Sequence, residues 1–447
     1  MAEGRPGAAD PLAAAQHFLR PGTLTLKSLP PLSVYVHLPW CLKKCPYCDF
    51  NSHELLAPRL PSVATPRGGS SQTGRPGSGL GLSAPRLPAV AGALDSAVES
   101  RYLDAVCADL EASLPLVWGR RVHSVFIGGG TPSLFSPEAI ARLIADVRAR
   151  LPLEAGCEIT LEANPGTFER ERFKSFAAAG VTRLSIGVQS FDDAALERIG
   201  RVHDGAQARA AVAEASEAFA TFNLDLMYAL PGQDLAALDR DLDTALAFSP
   251  PHLSIYHLTI EPNTRFATRP PVLPDDDTAS NMLDRIVART AAAGLRRYEV
   301  SAFARSGHRC AHNLNYWHFG DYLGLGAGAH GKLSFAHRIV RQVRWRDPAT
   351  YVDKALQGQA VSNEDEVTRK ALPFEFMLNA LRLADGFELA MFSERSGLPV
   401  SAIESTVEAA VRRGLLVREG VPGAERLRPS ERGFDFLSDL QAMFLAE

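Results

Sequence analysis

Residues Cys41–Cys48 read CLKKCPYC, a CxxxCxxC array that follows the short apolar run Val34–Leu38. Three thiolates on one short loop can bind three irons of a [4Fe–4S] cube and leave the fourth iron without a protein ligand. A structural zinc site would want a fourth nearby Cys or His in closed tetrahedral geometry, and His53 is the candidate. Three inert core thiols at this spacing would be rarer still. The remaining cysteines, Cys107, Cys157 and Cys310, are scattered singly, so the set is no disulfide framework.

Outward from this loop the chain alternates. Val34–Leu38 reads as a strand, Glu99–Val117 as a helix, Val122–Ile127 as a strand and Pro137–Leu151 as a helix with proline in its first turn. The strand Glu158–Leu161, the helix Glu169–Ala179 and the strand Arg183–Val188 follow. Two helical patterns, Asp193–Gly200 and Ala206–Phe219, lead to the strand Asn223–Met227. The helix Leu235–Phe248, the strand Leu253–Leu258 and the helix Thr278–Gly294 continue the pattern to a last barrel strand at Arg297–Phe303. So many βα units in a row predict an α/β fold with a parallel sheet, either a (β/α) barrel or a doubly wound sheet.

Other segments break the pattern. Residues 1–30, rich in Ala, Pro and Gly, read as a flexible N-terminal arm. Ala57–Gly92 holds seven Gly, six Pro, five Ser and four Arg with no acidic residue, and reads as a disordered insert inside the barrel of residues 31–300. Residues 301–364 read as a connecting segment. After about residue 365 the period changes to three helices (Glu366–Asp385, Glu388–Arg395, Val400–Arg413). Two short strands (Leu415–Arg418, Glu425–Pro429) and a helix from Glu431 complete a winged-helix-like α+β domain over 365–447. That module is not strongly basic, so it reads as a packing domain.

The chain has 447 residues, with 47 Lys plus Arg against 51 Asp plus Glu, and this net charge of −4 provides no global field for nucleic acid. No apolar stretch approaches the ~20 residues of a membrane helix. Met1–Pro30 lacks the basic-then-apolar layout of a signal peptide, so a cytoplasmic protein is expected.

Several polar residues stand out in apolar surroundings. Glu162, Gln189 and Asp225 interrupt strands near their C-terminal ends, where a barrel carries its site. They are expected to converge on one ligand; capping of the following helices is the blander reading. Tyr35 and His37 share one face of the first strand, and either could be a satisfied polar core residue. Gly128–Gly130 follows a strand, and a turn without Cβ atoms could offer its N–H groups to a carboxylate.

In several stretches the chain resembles the HemW family of haem chaperones, relatives of oxygen-independent coproporphyrinogen III oxidase in the radical S-adenosylmethionine (SAM) superfamily. The stretches are Pro31–His53 around the cysteines, GGGTPS at Gly128–Ser133, LEANPG at Leu161–Gly166, SIGVQSF at Ser185–Phe191, NLDLM at Asn223–Met227 and HNLNYW at His312–Trp317. The resemblance spans the chain from about Pro31 to its end, the insert excepted. It implies a partial TIM-type barrel with a HemN-type C-terminal domain, and a [4Fe–4S] cluster on Cys41, Cys45 and Cys48. SAM contacts are implied for Tyr35, Gly129, Gly130, Thr131, Glu162, Gln189, Arg201 and Asp225. Haem is implied at the HNxxYW motif through His312, Tyr316 and Trp317, with His308 and Cys310 close by as alternative ligands. From composition alone that motif would be a loop packed on the barrel. The oxidase relatives carry a fourth cysteine two residues after the third, where this chain has Phe50. The expected function is therefore delivery of haem to acceptor proteins. The alternative is radical SAM conversion of coproporphyrinogen III to protoporphyrinogen IX.

Overall fold

The computed structural model describes residues 18, 20–55, 94–166 and 172–446. The insert expected at 57–92, most of the arm expected at 1–30 and the start of the helix expected at 169–179 lie outside the described residues.

Six strands form the parallel heart of the molecule: β1 Leu32–Leu38, β2 Val122–Gly129, β3 Leu153–Ala163, β4 Arg183–Gln189, β5 Phe222–Tyr228 and β6 His252–His257. Each pairs in parallel with the one before it. The helices between them include α1 Ser96–Ser113, α2 Pro137–Arg150, α3 Phe173–Ala178, α4 Gly205–Ala218 and α5 Leu235–Ala247, with α6 Asp276–Ala292 after β6. Strand position advances one place at a time without reversal, which is the winding of a barrel rather than of a doubly wound sheet. Val34, Val36, Ile127, Leu161, Leu184, Ile186 and Leu224 are all buried, since strands covered on both faces need apolar side chains throughout. Local chemistry sets the helix starts. At α2, Ser136 accepts the Ala139 N–H at 3.1 Å and Pro137 occupies the first turn.

The sheet does not close. Its order runs from Val361–Glu366 at one edge to the short strand Arg296–Arg297 at the other, which makes it an incomplete barrel. The strand expected at Arg297–Phe303 is divided. The chain arrives as Arg296–Arg297, reverses, and returns as β7 Ala302–Ala304, antiparallel to both Arg296–Arg297 and β6. The return strand takes the place beside β6, and the arriving strand is displaced to the outside.

The segment 301–364, expected as a connection, supplies five of the sheet's twelve strands, Ala302–Ala304 among them. Helix α7 Ala311–Trp317 leads into β8 Asp321–Leu325, which pairs in parallel with the open side of β1. Strands β9 His330–Phe335, β10 Arg338–Arg344 and β11 Val361–Glu366 then extend the sheet antiparallel. Buried ion pairs bind this extension to the barrel. Asp321 lies 2.9 Å from Lys332 and 2.8 Å from Arg120. Burial alone would raise the Asp321 pKa, but those two cations outweigh it and hold the carboxyl below its ordinary range. Arg344 reaches Asp109 of α1 at 3.1 Å, with both side chains buried.

The C-terminal domain follows expectation in outline. Helices at Leu372–Ala380, Leu389–Ser396 and Glu404–Arg412 pack beside a three-stranded sheet of Phe387–Glu388, Leu416–Val421 and Ala424–Pro429. The helix expected from Glu366 begins only at Leu372, because β11 takes Glu366 into the sheet edge and residues 367–371 turn the chain before the helix starts. Among the described residues, no helix is long and apolar enough to cross a membrane.

Part of the expected arm is not free. Leu24 and Leu26 are buried in the core of the C-terminal domain, and their N–H groups donate to the carbonyls of His337 and Ala336 at 3.3 and 2.9 Å. Apolar residues at alternate positions let this short segment pair with the β9–β10 turn. Leu24→Ala is expected to lower unfolding free energy by about 2 to 3 kcal/mol, read from urea denaturation. An unchanged midpoint would mean that the segment is not anchored there.

Candidate functional site

A cavity of about 280 Å³ lies at the C-terminal ends of β2 to β6, and the cysteine loop forms one wall of it. Cys41, Cys45, Cys48, Gly129, Gly130, Thr131, Glu162, Gln189, Arg201 and Asp225 all line this space. The structure therefore brings together the three cysteines and seven of the eight residues expected around SAM.

The cysteines are free thiols, and a polar group faces each sulfur. Thr131 Oγ1 donates to Cys41 Sγ at 3.6 Å, Arg201 Nη1 donates to Cys45 Sγ at 3.5 Å, and Ser52 Oγ lies 3.8 Å from Cys48 Sγ. Burial pushes the Cys41 thiol up to about 11 and raises Cys48 as well. Metal-free, these groups are thiols, and loading with iron would release their protons. Hydrogen bonds onto thiolate sulfur tune iron–sulfur centres, so the donor set fits a cluster held at three corners. Among the described residues, no three His, Cys, Asp or Glu side chains are arranged around a single ion. A cube would spread its protein-bound irons over separate corners.

Asn164, absent from the expected set, joins two of these sulfur contacts. Its Oδ1 accepts from Arg201 Nη2 at 2.5 Å and its Nδ2 donates to Thr131 Oγ1 at 2.9 Å. A continuous chain of hydrogen bonds thus runs from Cys45 through Arg201, Asn164 and Thr131 to Cys41. Arg201 Nη2 also donates to the Gly187 carbonyl at 2.8 Å. A Cβ at Gly187 would stand 3.3 Å from that guanidinium, so glycine keeps the approach open. The sequence signal for Asn164 was its place two residues after Glu162 at a strand end.

Opposite the cysteines stand two carboxyls. Glu162 Oε2 accepts the Gly129 N–H at 3.0 Å, while Asp225 accepts from Ser185 at 2.9 Å and Asn223 at 2.9 Å. Burial, with the nearby Asp225 charge, pushes the Glu162 carboxyl up to about 8. Burial also raises Asp225. Among the described residues neither carboxyl forms an ion pair, although the Arg183 charge acts on Asp225, so a ligand carrying positive charge or hydroxyl groups would find two buried carboxyls to meet it. Gln189 closes β4 with φ +66°, a left-handed conformation that costs an ordinary residue energy and tends to mark functional sites.

The glycine turn works differently from expectation. Its N–H groups are engaged by the chain itself: Gly129 by Glu162, Gly130 by the Leu38 carbonyl, and Thr131 by that of Trp40. They are not offered to a ligand carboxylate. What glycine supplies is closeness, because a Cβ at Gly130 would sit 2.6 Å from the Trp40 carbonyl oxygen. The turn is thereby seated directly against the cysteine loop.

Tyr35 stands apart from this cavity and lines a second groove of about 360 Å³, which shares Phe50, Gly129 and Glu162 with the first. Tyr35 hydroxyl and His37 Nδ1 lie 2.8 Å apart, and His37 Nε2 reaches the Asn51 carbonyl at 2.9 Å. Both His37 nitrogens are engaged and burial lowers its pKa to about 4, so it is a satisfied, neutral imidazole.

The HNxxYW motif is a helix rather than a loop, and its residues diverge. His312 is 2% exposed, with Nδ1 3.1 Å from Ser124 Oγ and its ring stacked on Phe126. Burial pushes its pKa down to about 3. Tyr316 lines the second groove. Trp317 packs toward the C-terminal core with Arg382 over its ring at 4.3 Å. His308 pairs with Thr221 at 3.0 Å and Cys310 is buried beside Glu158, so neither lines the two cavities.

Known proteins resemble this chain along nearly all of its length. The radical SAM superfamily profile matches residues 35–245 and the HemN C-terminal domain profile residues 367–436. "Heme chaperone HemW" of Haemophilus influenzae is 41% identical over 428 residues, covering 94% of this chain and 100% of that protein. Its Escherichia coli namesake is 42% identical over 421 residues, covering 94% and 99%. A solved coproporphyrinogen III oxidase from Escherichia coli, described as a radical SAM enzyme, superposes with a TM-score of 0.71 at 20% identity. It covers 97% of this chain and 98% of its own, a likeness of fold. Because the identity to curated relatives extends end to end, through barrel and C-terminal domain alike, the chain belongs to the HemW family of the radical SAM superfamily.

Proposed function

We propose that this protein holds one [4Fe–4S] cluster on Cys41, Cys45 and Cys48 with SAM beside it, and carries haem for delivery to haem-accepting proteins. The observation that carries this reading is the joining of a three-sulfur cavity to a groove floored by tyrosines, with Phe50 on the wall of both. When bound, the cluster would offer an open iron to a chelating ligand and a store for one electron. The chain's own residues do the rest. Thr131 and Arg201 hold sulfurs, and Glu162 and Asp225 present carboxyl oxygens suited to a cationic, hydroxyl-bearing cofactor. Phe50 puts an apolar ring where a fourth thiol stands in the oxidase relatives. The name of the relatives at 41% and 42% identity, heme chaperone, agrees with that reading.

Oxygen-free protein with a reconstituted cluster, titrated with haemin and separately incubated with coproporphyrinogen III, SAM and a reductant, tests it. Saturable haem binding with no decarboxylated porphyrin is expected. Failure to bind haem, or steady formation of protoporphyrinogen IX, would overturn it in favour of the oxidase.

A further inference from the structure

Resting on that haem-carrying reading, we propose that the haem seat is the groove over Tyr316 and Tyr322, with His330 rather than His312 as the axial ligand. His312 has the right chemistry in the wrong place. Its Nε2 is buried without a hydrogen-bond partner, but the rings of Tyr35, Phe126 and Tyr316 surround it, at centroid distances of 6.5, 4.9 and 4.9 Å. Iron in a porphyrin reaches a ligand only along the normal to a broad flat ring, so an axial histidine needs an open face of that breadth in front of it. No such face exists at His312, which lines neither cavity.

His330 meets the requirement. It begins β9, is exposed, and lines the groove. Among the described residues no hydrogen bond engages its imidazole. Tyr316 and Tyr322, with ring centroids 4.2 Å apart, form an aromatic floor beside it. Phe50 stands on the wall with 62% of its surface exposed, a large apolar ring without cover. A macrocycle laid there would cover Phe50 and the half-buried Tyr316, with Tyr322, already buried, backing them from below, and would gain what aromatic packing supplies. Arg346, also lining the groove and exposed, forms no ion pair among the described residues and suits a propionate. Asp49 and Glu162 line the same groove, so the anionic edge of the macrocycle is directed to the Arg346 side.

The size of the groove bears on release. At about 360 Å³ it stands at the small end of ligand clefts. It accommodates part of a tetrapyrrole and leaves the remainder in solvent, where an acceptor protein can engage it. His312 then acts as a support, since its ring packs edge-on to Tyr316 and holds the groove floor.

The test compares haemin titrations of the full chain and of His330→Ala and His312→Asn, followed by Soret absorption and circular dichroism. His330→Ala is expected to weaken haemin binding about tenfold or more and move the Soret maximum. Free imidazole should restore the wild-type spectrum, a rescue that a merely structural histidine would not permit. His312→Asn should keep the wild-type Soret position while melting earlier. An unchanged spectrum in His330→Ala, with loss and imidazole rescue in His312→Asn, would overturn the assignment and leave the haem-carrying function standing. Absence of saturable haem binding by the wild-type chain would instead remove the function itself.

Discussion

Cys45→Ser is expected to abolish stable iron loading while leaving the fold of the metal-free protein intact. Cys45 sits half-buried on a short loop, and the hydrogen bond to its sulfur comes from Arg201 Nη1 at 3.5 Å. Serine is smaller and can still accept that hydrogen bond, so far-ultraviolet circular dichroism and Tm of the unloaded protein should stay near wild type. Its hydroxyl, however, is far less acidic than a thiol and a poor partner for iron. Loss of the middle sulfur leaves two thiolates for a cube that needs three. The iron retained after oxygen-free reconstitution and desalting should fall well beyond the roughly 10- to 100-fold lost when a residue that hydrogen-bonds to a metal ligand is removed. Serine at Cys107, Cys157 or Cys310 supplies the control. Cys310 is buried with its sulfur toward Glu158 at 3.5 Å, and none of the three lines the cavity. Each should load iron like the wild type. Equal iron retention by Cys45→Ser would end the cluster reading, whatever the haem result.

The contrast between Cys45 and His312 shows which parts of this molecule are legible in a sequence. The cysteine loop is local: three thiols within eight residues leave few alternative geometries, so their convergence on one cavity wall could be expected from spacing. The strand-end residues Glu162, Gln189 and Asp225 were also readable, because a singly wound βα repeat puts every strand end on one rim, and three polar residues there are more than helix capping requires. The HNxxYW motif gave no such constraint. Whether His312 turns toward solvent or toward Ser124 depends on where a seven-residue helix docks, and that is settled by Asn315 reaching the Asp321 carbonyl at 2.8 Å and by β8 pairing with β1. Those are tertiary contacts invisible to local periodicity. The same holds for residues 301–364. Strands β9 to β11 carry Lys332, Arg341 and Arg344, charges that argue against a buried sheet until their partners Asp321, Glu375 and Asp109 are known. The glycine turn was placed correctly and its role misjudged, since only the structure shows Gly130 and Thr131 donating to Leu38 and Trp40.

Glu162→Gln should move cofactor affinity and apoprotein stability in opposite directions. With its pKa at about 8 in the folded chain, Glu162 binds a proton over a pH range in which the unfolded chain has released it. The native state then holds more protons than the unfolded state from the ordinary carboxyl range up to about pH 8, so stability falls as pH rises through that window. Glutamine removes the titration and keeps an oxygen for the Gly129 N–H, which donates to Oε2 at 3.0 Å in the native chain. The Tm of the variant should therefore be less dependent on pH between 5 and 8 than the wild type's, by about a few degrees at the alkaline end, and should exceed it there. Ligand binding reverses the advantage. A cationic cofactor draws the carboxyl into its charged form, and a charge-assisted hydrogen bond of about 1.5 to 3 kcal/mol is lost in the amide. SAM affinity measured calorimetrically on cluster-loaded protein should fall about 10- to 100-fold. Comparing both proteins at each pH separates this carboxyl from titration of the ligand's own groups. The difference should widen as pH rises toward 8, because only the wild type gains charge there. A variant that binds SAM like the wild type at every pH, yet shows the flattened Tm profile, would place Glu162 in the cavity wall without a part in holding the cofactor.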